Sequence, residues 1–331
     1  MNLFIELSMI CNLNCKYCIR NELTAEQKTS FMPINDVINL INKFDHLESI
    51  NIIGSGEPFC YPYWNEFVEY IKLKQIRLTM TTNGILLNDK NIESLPNNSV
   101  LYFSIDSLDD EKNKITRGIG SSIIINNIKK LIEKRQDIKV VIQPVIIKGF
   151  KDEINKFINL LDEIKAGFSP ILPTCYSKEM YDELYPIEEI DDIVRIIKDE
   201  CNKRQIYTNA IYSKPTLDIC VDPFNIIFVA VNGDVYPCCY IYSARPYIGK
   251  TNETFTEYYN GVEVKVPAYQ YKIGNIYRDE INSLLHSERM NSIRFNILAT
   301  QKSDFMNRDK LNLNHPHKYC RICSNRWGCS G

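Results

Sequence analysis

The stretch "CNLNCKYC", residues 11–18, sets three cysteines within eight positions, directly after the apolar run Leu3 to Met9. Thiolates are the protein ligands of iron-sulfur clusters, and a four-iron cluster ordinarily takes four of them. Only three stand here. A metal site closed by protein ligands is structural, whereas one that lacks a ligand keeps a position open for substrate or cosubstrate. Three thiols on a loop after the first strand of an α/β unit therefore point to an open, reactive cluster. Zinc completed by a distant fourth cysteine is the competing interpretation; no histidine partner lies nearby, and later cysteine groups account for their own metal.

Outward from this loop, residues 3 to about 205 alternate short β-branched runs with amphipathic stretches. "LFIELSM", "SINIIGSG", "IRLTMTTNG", "VLYFSID", "IKVVIQPVII" and "FSPILPT" read as strands, apolar enough for burial on both faces. Between and after them, "INDVINLINKF", "WNEFVEYIKL", "IIINNIKKLIEKR", "EINKFINLLDEI" and "IDDIVRIIKDECNKR" carry the i, i+3, i+4, i+7 apolar pattern of helices. Six strands alternating with helices imply a parallel sheet, and we expect the fold class α/β, a partial (β/α)6 TIM-like barrel. Ligands of such sheets sit at the carboxyl ends of the strands, where the polar motifs of this chain also fall.

Near residue 206 the texture changes. "FVAVNGDVYPCC" places Asn232-Gly233 between two β runs, the signal of a two-residue hairpin turn, and residues 240 to 275 are rich in tyrosine, as in a surface excursion or lid. We expect two units, a barrel over 1–205 and a small cysteine-rich unit over 206–331. Net charge is −2 with both signs mixed along the chain, so no basic stripe invites nucleic acid or an anionic membrane. No apolar run is long enough to span a bilayer, and the N-terminus enters a strand with no cleavable leader. A cytoplasmic protein is expected, its clustered thiols serving as metal ligands and not as disulfides. Cys60, Cys175 and Cys201 stand alone and read as small buried hydrophobes.

The CxxxCxxC spacing, with Tyr17 just before the last cysteine, resembles the signature of the radical S-adenosylmethionine enzymes. Further pieces fall where that family's pattern puts them. "GSGEP", Gly54 to Pro58, resembles its GGEP stretch, with Ser55 in place of the first glycine; glycines there let backbone approach a ligand closely. "TTNG", residues 81–84, closes the third strand and contains Asn83. In "FSIDSLDDEKNKITRG", Ser104 and Arg117 match positions that hold the carboxylate of S-adenosylmethionine in relatives. The resemblance thus implies a [4Fe-4S] cluster on Cys11, Cys15 and Cys18, and S-adenosylmethionine against Tyr17, Gly54, Ser55, Gly56, Glu57, Pro58, Asn83, Ser104 and Arg117. It also implies reductive cleavage to a 5'-deoxyadenosyl radical that abstracts hydrogen from an unactivated carbon. The barrel must then exclude water and hold the C–H bond close.

Cys220, Cys238 and the run Cys320-x2-Cys323-x5-Cys329 resemble the auxiliary-cluster extension called SPASM, or its shorter relative called twitch. "YKIGNI", residues 271–276, is similar to a segment common between their cysteine groups. The full SPASM pattern calls for more cysteines after the last run, and none follows Cys329 here. One auxiliary [4Fe-4S] cluster is therefore expected, on Cys220, Cys238, Cys320 and Cys323, with Cys329 able to replace one of the last two. Cys239 is left as a spare thiol that could return a hydrogen atom to a substrate radical. The implied activity is a radical dehydrogenase acting on a small molecule such as a sugar or amino sugar, with the auxiliary cluster taking the second electron from the substrate radical and a reducing partner such as flavodoxin or ferredoxin supplying the first. A radical epimerase using Cys239, a peptide-modifying maturase, and a redox module that never cleaves S-adenosylmethionine are the alternatives. Only two residues precede the first strand, so no leader-binding domain is expected ahead of the barrel, which favours a small molecule over a peptide.

Overall fold

A computed structural model describes residues 1–209, 222–239, 255–259, 262–266, 271–295 and 298. Six strands are present: β1 (Asn2–Ile5), β2 (Ser49–Ile52), β3 (Arg77–Thr82), β4 (Val100–Phe103) and β5 (Lys139–Ile142), each shorter than expected, and β6 (Gly167–Phe168), which shares only Phe168 with the expected "FSPILPT", Ile171 making just an isolated bridge to Val145. They lie side by side in chain order, every neighbouring pair parallel. The expected helices are α1 (Ile34–Asn42), α2 (Trp64–Leu73), α5 (Ser121–Lys134), α6 (Ile154–Ile164) and α8 (Ile190–Arg204), joined by the shorter α3 (Asp89–Ser94), α4 (Asp110–Arg117) and α7 (Lys178–Leu184).

The strands are not apolar on both faces, as their composition suggested. In register, Ile5, Ile52, Met80, Leu101 and Val140 form one buried rung on the helix side. One residue along each strand, the side chains turn to the other face. There Phe4, Asn51 and Thr79 line up, as do Thr81 and Tyr102, and these residues face an internal cavity. The sheet is thus packed on one side and largely polar on the other.

Strand shortening has a local cause. After β1 the chain leaves the sheet at Glu6 and pairs with its own return: Met9 N donates to Ser30 O at 2.8 Å and Met32 N to Leu7 O at 2.8 Å. Residues 10–29 become a loop clamped at its base over the carboxyl end of the sheet.

Beyond the short α9 (Asp222–Asn225), the hairpin β7 (Ile226–Val229) and β8 (Asp234–Tyr236) extends the same sheet, β7 running parallel to β1 along its free edge. Its turn has three loop residues instead of two. Gly233 N donates to Ala230 O at 2.8 Å and Ala230 N to Asp234 O at 2.9 Å, with Gly233 left-handed at φ +80°. Farther along, β9 (Phe255–Tyr259) and β10 (Val262–Val266) form a separate antiparallel hairpin. It docks on the segment after β6, where Tyr258 N donates to Cys175 O at 3.1 Å and the Tyr258 ring meets Tyr181. β11 (Gly274–Asn275), from "YKIGNI", pairs with β8 and completes a nine-stranded sheet, followed by α10 (Ile281–Leu285). Among the described residues no helix is long and apolar enough to cross a membrane.

A Cβ on Gly233 would sit 2.5 Å from the Tyr277 ring, besides forcing a left-handed backbone on an L-residue. Gly233→Ala should cost at least about 1–2 kcal/mol, read as a lower urea midpoint with an unchanged slope.

Candidate active site

The cysteine loop is held from inside. Arg20 is buried and donates from Nε to Met9 O at 2.8 Å and from Nη1 to Leu13 O at 3.2 Å, while Asn21 Nδ2 reaches Cys15 O at 2.9 Å. Lys16 N donates to Thr116 O at 2.8 Å and the Cys15 thiol to Arg117 O at 3.7 Å, so the end of α4 lies against the loop. Burial pushes the thiols of Cys11, Cys15 and Cys18 up, and as thiolates they require a compensating cation.

The glycine-rich turn after β2 is pressed onto this loop. A Cβ on Gly56 would lie 2.1 Å from Ser8 O and 2.9 Å from Ile10 O, and Glu57 N donates to Ile10 O at 2.8 Å. The close approach that the sequence assigned to a ligand is in part an approach of backbone to backbone. Beside it, Ser55 N donates to Oε1 of the fully buried Glu6 at 2.8 Å. Glu57, also buried, accepts from Thr82 Oγ1 at 2.6 Å and from Asn83 N at 2.8 Å. Burial outweighs these donors and lifts its carboxyl to about 7. Asn83 in turn donates from Nδ2 to Asn12 Oδ1 at 2.8 Å and lies 3.9 Å from the Cys11 sulfur. The carboxyl ends of β2 and β3 are thereby tied to the first cysteine.

These groups surround a cavity of about 850 Å³. Cys11, Cys15 and Cys18 line it, together with Gly54 to Pro58, Asn83, Ser104, Arg117 and Cys239. Tyr17 is held elsewhere: its hydroxyl donates to Glu183 Oε1 at 2.5 Å, bracing the loop against α7 together with Lys16 at 3.0 Å. Cys238 is buried, while Cys239 lines the cavity. Cys220, Cys320, Cys323 and Cys329 lie outside the described residues. Cys175 and Cys201 are buried in the core and Cys60 is half-buried.

Glu6, Arg20, Asp106 and Glu183 escaped notice in the sequence. Glu6 could have been found as the one carboxylate inside the first apolar run, and Asp106 as the acid closing the fourth.

The donor set fits a cluster and a zwitterionic cosubstrate. Cys11, Cys15 and Cys18 line one cavity, and three thiols at one wall are the donor chemistry that an iron-sulfur cluster takes. Arg117, whose Nη2 pairs with Asp106 Oδ1 at 2.8 Å, keeps its buried Nε without an acceptor, a donor open to a ligand oxygen.

Two outcomes follow from this geometry. Gly56→Ala should force the two loops apart and lower the iron bound after anaerobic reconstitution without unfolding the chain, read by iron analysis beside circular dichroism. Because Glu57 has a folded pKa near 7, raised from 4.5, its contribution to stability is fully present below pH 4.5 and is lost as pH rises through 7. In the metal-free chain, Glu57→Gln should flatten that decline in melting temperature between pH 4.5 and 7.

Comparison with known proteins agrees with this geometry. Residues 5–161 match the Radical SAM superfamily, and residues 220–324 match SPASM, an iron-sulfur cluster-binding domain. A tungsten-containing aldehyde ferredoxin oxidoreductase cofactor-modifying protein of Pyrococcus furiosus is 24% identical over 346 residues, covering 99% of this chain and 88% of the relative. A GTP 3',8-cyclase of Clostridium botulinum is 28% identical over 279 residues, covering 74% and 86%. Among solved structures, Streptococcus suis SuiB bound to precursor peptide SuiA superposes with a TM-score of 0.64 at 18% identity, a likeness of fold. That match covers 88% of this chain and 66% of SuiB, so the chain spans about two thirds of SuiB's length. The chain belongs to the radical SAM superfamily and carries a C-terminal SPASM domain, which makes it an enzyme of S-adenosylmethionine and iron-sulfur chemistry.

Proposed function

We propose that the enzyme oxidises a small polar molecule by two electrons, starting with hydrogen abstraction from a carbon that bears a hydroxyl or amine. A single cavity carries this reading: three thiols, Glu57 and Arg117 lie at its walls, Cys239 also lines it, and hydroxyl and amide side chains of β2 to β4 form its floor. Residues 1–205 provide most of that cavity, with Ile226, Phe228 and Cys239 joining it from the later part of the chain, and residues 206–331 provide the auxiliary site.

Cys11, Cys15 and Cys18 hold a [4Fe-4S] cluster, which when bound supplies the electron that splits S-adenosylmethionine and so generates the hydrogen-abstracting radical. Ser104 and Arg117 hold the carboxylate of the cosubstrate, and Glu57, acceptor-rich and buried, receives its neighbouring donors. The polar strand face holds the substrate's own hydroxyls, and the enclosing loops exclude water. Cys220, Cys238, Cys320 and Cys323, with Cys329 in reserve, would hold one auxiliary [4Fe-4S] cluster, whose chemistry would be to accept the second electron of the oxidation. A flavodoxin or ferredoxin in the reducing cytoplasm supplies the first.

Two likenesses, covering 99% and 74% of this chain, support a small molecule over a peptide. The Pyrococcus relative is named for modifying a cofactor and the Clostridium relative for cyclising GTP. A second reading, epimerisation, is favoured by the place of Cys239 at the cavity, where its thiol can return a hydrogen atom.

Anaerobic reconstitution should give about eight irons per chain, and about four in Cys15→Ala if the auxiliary site forms independently. Reduction with dithionite should release 5'-deoxyadenosine from wild type and none from Cys15→Ala. In deuterated water an oxidised product without carbon-bound deuterium supports the dehydrogenase. Deuterium on an unoxidised product carbon, lost in Cys239→Ala, would replace it with the epimerase.

A further inference from the structure

We propose that Asp106 is the positioning residue that presents Arg117 to the carboxylate of S-adenosylmethionine. Arg117 is the last residue of α4, and the whole α4 excursion is built to return it to the start. Asp106 N and Ser107 N both donate to Asn113 Oδ1, at 3.0 and 3.3 Å, and Asn113, fully buried, donates from Nδ2 to Ile119 O at 2.9 Å. Asp109 caps the helix by accepting from Glu111 N and Lys112 N, and Gly118 ends it in a left-handed residue. The guanidinium thus arrives beside Asp106, with Nη2 at 2.8 Å from Oδ1.

Asp106 is itself fixed from a third direction, because the same Oδ1 accepts from Val145 N, just past β5, at 3.0 Å. Both partners are largely buried, at 15% and 9% side-chain exposure. One part of the guanidinium is therefore pinned, while its buried Nε has no acceptor and the side chain lines the cavity that also holds the three thiols. An unmet N–H of a guanidinium in a buried wall calls for an acceptor oxygen, and a carboxylate is the strongest. The only anionic group of S-adenosylmethionine is its carboxylate. Without Asp106 a long arginine side chain would have to order itself on binding; with it, the geometry is set beforehand.

The inference rests on Arg117 facing the cosubstrate, as in the reading above, and not on the oxidation that follows. Affinities of the reconstituted full chain for S-adenosylmethionine and for decarboxylated S-adenosylmethionine, measured by anaerobic equilibrium dialysis, separate the two. Wild type should favour the carboxylate-bearing ligand; equal affinities would show that Arg117 does not face the carboxylate, and the inference would fall with that assignment. Asp106→Asn should weaken S-adenosylmethionine about tenfold and leave the decarboxylated ligand unchanged, with partial recovery in Asp106→Glu. Equal losses for both ligands, or an unchanged or tighter affinity for S-adenosylmethionine, would overturn the proposal. Should Asp106→Asn not fold, the same selective loss, smaller in size, is expected of Asp106→Glu, and its absence there counts equally against the proposal.

Discussion

The site depends on backbone meeting backbone at Gly56. Its Cα lies so close to the carbonyls of Ser8 and Ile10 that no side chain fits between, and Glu57 N closes the contact with a hydrogen bond. This contact joins the turn after β2 to the cysteine loop, so that thiols and the Glu57 carboxylate are fixed relative to one another before any ligand enters. The clamped base of the loop and the internal arginine Arg20 serve the same end. A loop carrying three reactive thiols would otherwise be among the more mobile parts of such a fold.

Much of this was legible in the sequence, because the strongest signals were local. Helix periodicity located α2 and α8 to the residue, since each has a complete apolar stripe facing the sheet. The strands were read too long because residues such as Glu6 to Met9 continue the β-like pattern while pairing with a returning loop. Their polar face was missed for a different reason: Asn51, Thr79 and Tyr102 only become a surface once the parallel register sets them beside one another. The hairpin at Asn232-Gly233 was placed correctly, yet its loop length is decided by the left-handed Gly233 and the Ala230 carbonyl.

The candidate site shows the same division. Motif residues at the cavity, from Cys11 to Arg117, were legible because their spacing along strand ends is fixed. Tyr17 was grouped with them as the aromatic residue before the last cysteine of the signature; its hydroxyl bonds Glu183 on α7, more than 160 residues away in sequence. Buried carboxylates such as Glu6 and Asp106 stand out locally only as acids in apolar runs; what they hold is set by the fold, Ser55 N and Val231 N for Glu6 and Arg117 and Val145 N for Asp106. The C-terminal hairpin joins the barrel sheet through β1, the strand that also launches the cysteine loop. Sharing that strand brings Cys239 to the same cavity as Cys11, Cys15 and Cys18.

The central claim is a cluster held by Cys11, Cys15 and Cys18 with one iron left for the cosubstrate. Electron-nuclear double resonance on the reduced, reconstituted enzyme with S-adenosylmethionine labelled with nitrogen-15 at the amino group and oxygen-17 at the carboxylate tests it most directly. Hyperfine coupling from both labels to the cluster is the expected result. A reduced cluster on these cysteines whose spectrum is indifferent to the labelled cosubstrate would mean that every corner is already taken, and would contradict the account.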